Sequence, residues 1–401
     1  MKAVQHFDDK GLTELPALID PHVHFRTPGA ERKEDWKSGA IAAVRSGVTM
    51  VCDMPNNTPP CTTVARLREK KKIIEAQLRA VGIPLRYGLY LGADPDNLDQ
   101  IAAAKNEAIA IKLYMGSTTG AEGVHAKSFY SELFSQAAAA EMVVVVHAED
   151  EKILQREKKR YQGITDPAFH SKIRSPEAAI VAVTEAIEVA AKFGTSLYIA
   201  HMSTKEEVDL VRQAKKNGLP VYAEAVTHHL FLTTEDYGPW KTLVQANPPL
   251  RTPEDQEALW EAIADKTIDT IATDHAPHLL EEKKLPYGQA PSGIPGIETL
   301  LPLLLDAVSR KKLTLEQLIA LTRTNVEKIF ALPPNDDCVY VDLELQKYVC
   351  DAELKTKCGW SPYSGQLLTG WPRYTKLRGQ LYAVFIPQNI EEKPEDPLAH
   401  A

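Results

Sequence analysis

The chain has 401 residues, 44% hydrophobic and 25% charged, the proportions of a globular protein with a sizeable core. That excludes a disordered, collagen-like or coiled-coil chain, and the length suits one large barrel of about 250 residues with an appendage. With 46 basic against 54 acidic residues, a net of −8, no basic excess is present to attract nucleic acid.

The opening MKAVQHFDDKGLTEL has no apolar run after its lysine, so no secretory signal is expected. Apolar stretches such as 143–146 and 300–305 are far too short to span a bilayer. The cysteines (Cys52, Cys61, Cys338, Cys350 and Cys358) are odd in number and include no C-x-x-C pair. They predict neither a disulfide framework nor a zinc finger and fit a reducing, cytoplasmic compartment.

In chain order, short apolar runs occur at 15–20, 48–53, 85–91, 109–114, 142–147, 196–201, 219–224 and 268–274. Amphipathic segments lie between most of them, at 33–45, 64–81, 127–140, 176–192, 205–216 and 253–264. Near-continuously hydrophobic runs alternating with helices predict a parallel sheet buried on both faces, and eight of them close a (β/α)8 TIM barrel. Pro333 to Asp337 reads as a linker or turn. The alternating pieces 339–343, 374–377 and 380–386 beyond it predict a small β-rich appendage, and the last dozen residues a solvated tail. The expected division is an N-terminal segment 1–14 joining the β region, a barrel 15–334 and an appendage with tail 335–401.

The chemistry gathers where these strands end. Strand one ends in Asp20-Pro-His22-Val-His24, and strand two leads into Asn56. Strand four carries Lys112, strands five and six end in His147 and His201, strand seven in Glu224, and strand eight in Asp274-His275-Ala-Pro-His278. In a TIM barrel, strand C-termini build the active-site rim. His22 and His24, two apart on extended backbone, turn to one face and can grip one ion. Imidazoles with a carboxylate suit a catalytic metal with open positions. Alone, His-x-His is weak, since a hydrogen-bonded pair at a strand end is equally common; beside His147, His201 and Asp274 it gains weight. Lys112, between Ile111 and Leu113, is costly to bury as a bare ammonium. It either reaches solvent or a carboxylate, or carries a carboxyl group on Nζ that bridges two metals. His228 and His229 read as supporting histidines, and His6, His125, His170 and His400 as residues without a role at the rim.

Asp20-Pro-His-Val-His-Phe-Arg26-Thr-Pro28 resembles the first dihydroorotase signature, and Ala272-Thr-Asp274-His-Ala-Pro-His278 followed by Lys283 resembles the second. Met54-Pro-Asn56, Ile111-Lys112-Leu-Tyr114, His147-Ala-Glu149 and Ala200-His201 fall between them in the order of the amidohydrolase superfamily. Trp360-Ser-Pro-Tyr-Ser-Gly365 and Arg378-Gly379 resemble its closing sheet segment, so the likeness covers about the whole chain.

The resemblance implies that His22, His24 and Asp274 hold one zinc, that His147 and His201 hold a second, and that a carboxylated Lys112 bridges them. It implies substrate contacts by Arg26, Asn56, Asn247, His278, Ser292 and Gly293, a mobile lid at Thr118, and Asp274 as the catalytic acid–base. The implied reaction is reversible cyclisation of N-carbamoyl-L-aspartate to (S)-dihydroorotate, a step of pyrimidine synthesis. The pattern is closest to the dihydroorotase portion of the animal pyrimidine multienzyme, whereas many bacterial relatives have an aspartate in place of Lys112. That animal relative has an arginine where Asn247 stands, and a cysteine, on an additional zinc with the strand-seven acid, where Ala200 stands; a third metal is therefore not expected. With no transcarbamoylase or synthetase sequence attached, the chain is expected to act as a homodimer, alone or with an aspartate transcarbamoylase. The alternatives are a dihydropyrimidinase, hydantoinase or allantoinase, which need no Arg26 with His278 for a ring carboxylate, or a silent scaffold, which would have lost a metal ligand.

Overall fold

The computed structural model describes residues 3–4 and 9–384. His6, His400 and the expected tail lie outside the described residues. Two sheets organise the rest. Eight parallel strands follow one another in chain order: β3 (Leu18–Val23), β4 (Val48–Asp53), β5 (Arg86–Gly92), β6 (Ala110–Tyr114), β7 (Val144–His147), β8 (Leu197–Ile199), β9 (Val221–Val226) and β10 (Thr270–Ala272). Helices of ten or more residues intervene at Trp36–Arg45, Val64–Val81, Lys127–Ala139, Glu151–Arg160, Pro176–Phe193, Lys205–Lys216 and Pro253–Ala264. β3, β4, β6, β7, β8 and β10 are buried along their whole length, as a sheet covered by helices on its outer face requires.

Closure joins β10 to β3. Val23 bridges His275 in parallel, His24 N donates to His275 O at 2.8 Å, and Thr273 donates from N at 3.2 Å and from Oγ1 at 2.5 Å to the buried Asp20 carboxylate. This is a (β/α)8 barrel, as the alternating pattern predicts. No described helix is long and apolar enough to cross a membrane.

Sequence cues set the helix bounds. Thr63 caps the helix Val64–Val81 and Gly82, at φ 71°, ends it. Thr204 and Thr252 open their helices with reciprocal capping boxes, the second with Pro253 in the first turn. The expected helix at 33–45 starts only at Trp36, because Asp35 accepts from Lys37 N and Ser38 N as the N-cap.

The expected first strand, 15–20, is corrected: it straddles two elements. β2 (Thr13–Pro16) pairs antiparallel with the C-terminal strand β11 (Cys338–Tyr348), and the barrel begins only at Leu18. The second sheet has the order β1-β13-β12-β11-β2, with β1 at Ala3–Val4, β12 at Leu367–Leu377 and β13 at Gln380–Ala383. β11 and β12 are longer than the alternation suggests, because register shifts after Tyr340 and Asp342 interrupt the period of two. Trp360 to Gly365, expected in the closing sheet, instead form a turn whose Trp360 indole donates to His278 O at 2.8 Å.

The appendage is clamped to the barrel. Asp337, buried, accepts from Arg86 Nε at 2.7 Å and Arg378 N at 2.7 Å, and its carbonyl accepts from Ala17 N at 3.0 Å. Gly370, at φ 96°, lies so close to the helix Leu300–Ser309 that a Cβ would meet Leu305 Cβ at 2.5 Å. Removing the clamp should leave the rim intact. Asp337→Ala is expected to cost about 2 kcal/mol in thermal or denaturant unfolding, below the full penalty of a broken buried pair because Arg86 keeps some water, with bound metal per chain unchanged.

Candidate active site and metal centre

One cavity at the C-terminal rim is lined by His22, His24, Arg26, Asn56, Lys112, Tyr114, Thr118, Thr119, His147, His201, Asn247, Asp274, Ala276, Ser292 and Gly293. Twelve of the thirteen residues singled out in the sequence therefore share one space. The thirteenth, His278, stands directly behind it, with Nε2 3.1 Å from Arg26 Nη2 and 3.1 Å from Ser292 O.

Three of the four imidazoles are aimed by a partner on the far side, His201 Nδ1 having none among the described residues. His22 Nδ1 lies 2.8 Å from Glu224 Oε1, His24 Nδ1 2.8 Å from Asn56 Oδ1, and His147 Nε2 2.8 Å from Glu149 Oε2. Those oxygens can only accept, so the three nitrogens carry the hydrogens and the opposite nitrogens offer lone pairs inward. His22 Nε2 and His24 Nε2 then face Asp274 Oδ1 at 3.2 and 3.0 Å, and His147 Nδ1 faces His201 Nε2 at 3.0 Å. Ligand atoms of His22, His24 and Asp274 all lie within 4.8 Å of one another. Lone pairs converging on a carboxylate with no proton between them repel unless a cation sits there. Burial drives the His24 imidazole down to about 4, so protonation does not supply that charge near neutrality. The donor set, imidazole nitrogens with one carboxylate, fits a divalent transition ion.

Lys112 stands in the same cavity, 1% exposed, and its side-chain nitrogen makes no hydrogen bond or ion pair among the described residues. Its Nζ lies over the Tyr114 ring, 5.3 Å from the ring centroid. Burial lowers its amine to about 8, so a fraction is neutral and nucleophilic near physiological pH. An unpaired buried lysine between two groups of imidazoles has the chemistry of a site for Nζ carboxylation.

Three site residues, Arg26, His201 and Asp274, hold positive φ angles of 57°, 40° and 46°, which non-glycine residues seldom adopt. β8 stops at Ile199 and β10 at Ala272, so His201 and Asp274 lie two residues past their strands on strained turns. Gly293, at φ 143°, gives the pocket a wall of bare backbone. A Cβ there would meet Ala276 O at 2.5 Å and the His278 ring at 2.9 Å.

The segment carrying Thr118 folds over the cavity. Asn247 Nδ2 donates to Thr118 Oγ1 at 3.0 Å and Asn56 Nδ2 to Thr119 O at 3.3 Å. Its base is held by Ser117 N donating to Glu151 at 2.7 Å and Arg174 Nη2 donating to Ser117 O at 3.0 Å.

Several supporting groups carry no motif of their own. Arg174 ion-pairs with Glu149 behind His147. Lys283, fully buried, donates to Gln245 O at 3.0 Å and Pro291 O at 2.9 Å, tying together the loops of Asn247 and Ser292. Lys70 ion-pairs with Asp53 and donates to Met54 O at 3.0 Å and Asn57 Oδ1 at 2.7 Å, fixing the turn that presents Asn56. His229 donates to Pro248 O at 3.1 Å, a support as expected, and His125 sits 3.4 Å from Met115 O. His170, assigned no role from sequence, is buried against Asn247 and Ser292. Only its contacts with loops about 77 and 122 residues away reveal it, a pattern no local motif encodes.

A model of the amidohydrolase family matches residues 13–335. The chain is 37% identical over 374 residues to a dihydroorotase of Halobacterium salinarum, covering 91% of this chain and 85% of that one. It is also 37% identical over 375 residues to the multifunctional protein CAD of Squalus acanthias, covering 92% of this chain but 15% of that much longer relative. Among solved structures it resembles the L-hydantoinase (dihydropyrimidinase) of Arthrobacter aurescens, with a TM-score of 0.89 and 28% identity over 94% of this chain and 86% of that one.

Glu224 offers a test of this centre that touches no ligand. Its carboxylate, fully buried, holds His22 Nδ1, His201 N at 2.9 Å and Tyr198 Oη at 2.8 Å. Glu224→Gln should weaken zinc binding in competition with a chelator by about 10–100-fold, the usual loss for a removed outer partner of a ligating histidine.

Proposed function

The chain belongs to the amidohydrolase family and, within it, to the dihydroorotases; from that premise we propose that the rim cavity holds two zinc ions and interconverts N-carbamoyl-L-aspartate and (S)-dihydroorotate. His22, His24 and Asp274 would hold one ion, His147 and His201 the other, and a carboxylated Lys112 both. Bound there, such ions lower the pKa of water and polarise an amide carbonyl.

The chain's own residues do the rest. Arg26, which makes no ion pair among the described residues, meets the ring carboxylate, and its guanidinium lies against the His278 ring, 3.1 Å from Nε2, with Arg26 Nε donating to Pro277 O at 3.2 Å. Asn56 and Asn247 present amides, and Ser292 and Gly293 present backbone to the ring, whose close approach the missing Cβ permits. The lid at Thr118 excludes water that would compete with ring closure. Asp274 accepts the proton from water in the hydrolytic direction and delivers it to the ring nitrogen as the C–N bond breaks; in the biosynthetic direction it takes that proton from the carbamoyl nitrogen as the C–N bond forms and passes it to the carboxyl oxygen, which leaves as water when its C–O bond breaks. Division into segment 1–14, barrel 15–334 and appendage 335–401, a place in pyrimidine synthesis in the cytoplasm, and assembly as a homodimer or with an aspartate transcarbamoylase belong to the same reading.

The observation that carries it is a cationic Arg26 in the same cavity as six metal-capable side chains. A dihydropyrimidinase, hydantoinase or allantoinase would share the ligands but has no ring carboxylate for Arg26 to meet. A silent scaffold would tolerate loss of a ligand, and none is lost.

Wild-type enzyme should open dihydroorotate well and dihydrouracil hardly at all. Arg26→Met should cost about 2–5 kcal/mol in kcat/KM for dihydroorotate with zinc content unchanged. Equal turnover of both rings by the wild type would move the assignment to the dihydropyrimidinases.

Lys112 offers a separate check. Intact-mass analysis without acid should show a carboxyl adduct together with about two zincs per chain. Lys112→Ala should lose metal and nearly all turnover, whereas an active, metal-replete enzyme with one ion and a plain lysine would refute the bridge.

A further inference from the structure

His170 lies in a short helical turn, His170–Ile173, on the loop after β7, 6% exposed. Its Nε2 is 3.0 Å from Ala246 O and 2.8 Å from Asn247 Oδ1, and Ser292 Oγ stands 3.4 Å away. Its Nδ1 is 3.1 Å from Tyr287 Oη. The tautomer follows from the partners. A backbone carbonyl can only accept, so Nε2 carries the hydrogen; Nδ1 is then a bare lone pair, and Tyr287 donates to it.

That assignment orients Asn247. With Nε2–H facing it, the amide must turn its oxygen toward His170, because the flipped amide would set donor against donor. The NH2 group is thereby directed at Thr118 Oγ1, 3.0 Å away on the lid. A single polarity runs Tyr287 to His170 to Asn247 to Thr118, across four segments distant in sequence.

We infer that His170 is a positioning residue, which fixes the orientation of the Asn247 amide and so couples docking of the lid at Thr118 to the substrate-facing wall at Asn247 and Ser292. This rests on the dihydroorotase reading only for the choice of substrate. His170 touches no metal ligand and none of the reacting atoms, so its loss should show in KM and in lid protection before it shows in kcat.

A double-mutant cycle tests the coupling. His170→Phe keeps a ring but removes the donor, and should raise KM for dihydroorotate about tenfold, in the range of one lost buried hydrogen bond, with kcat changed less than about threefold and zinc content unchanged. Backbone amides at 117–121 should exchange faster with solvent deuterium. His170→Gln, which restores a donor near the Nε2 position, should recover most of the KM. Tyr287→Phe, nearly isosteric, should raise KM by a smaller factor, because the ring loses the partner that selects its tautomer. In a Thr118→Val background, where the lid has no acceptor for Asn247, His170→Phe should add less than about twofold. The inference is overturned by an unchanged KM in His170→Phe, by failure of Gln to rescue it, or by a full His170→Phe effect persisting beside Thr118→Val. Should the wild type turn over a different cyclic amide, the same cycle is read on that substrate, which separates an error in the substrate from an error about His170.

Discussion

A carboxylate and the inward nitrogens of His22, His24 and His147, none of them carrying a hydrogen, meet at the rim, and the surrounding structure is arranged to keep them so. Glu224, Asn56 and Glu149 each occupy the outer nitrogen of one ring, which forces the inner nitrogen to remain a lone pair. Water would relieve that concentration of acceptors, but His22, His147 and His201 are each at most 3% exposed. Electrostatic demand for a divalent cation is therefore built into the fold. The supporting carboxylates are buried too, and each is satisfied in turn by Tyr198, Arg174 or a backbone amide. A half-satisfied network of this kind would destabilise the rim more than an apolar one.

The parts of this arrangement that were legible from sequence are those carried by local pattern. The run 48–53 and the helices at 64–81, 205–216 and 253–264 have the predicted bounds, because burial and capping residues mark them without ambiguity. His22 with His24, and Asp274 with His278, are close in sequence and so announce themselves. The misread first strand had no such mark: Leu15 and Leu18 are both buried apolar residues, yet one belongs to each sheet. His170, Tyr287 and Arg174 were illegible for another reason. Each acts through partners on loops that only the closed barrel brings together, and none sits at a strand end.

Substrate selection follows from how the two walls of the cavity are made. One wall is side chain, with Arg26 backed by His278, which is itself flanked by Lys33 at 2.9 Å. Burial and these cations drive the His278 imidazole far below its ordinary range, so it stays neutral beside the guanidinium instead of a competing charge. The other wall is backbone at Ser292 and Gly293, pinned from behind by Lys283 and Gln245. A rigid cation opposite a rigid strip of backbone suits a flat ring bearing an anion.

The barrel seam gives the ligand set a second consequence, in chain statistics. His24 and Asp274 are 250 residues apart in sequence yet 3.0 Å apart in space. An ion held by both would cross-link the first and last strands of the barrel, closing nearly the whole catalytic chain into one loop. Cross-links of that span reduce the disorder of the unfolded chain by more than short ones do, roughly as the logarithm of loop length. Metal uptake would then reinforce a seam between β10 and β3 that Thr273, Asp20 and the His24–His275 backbone bond already close.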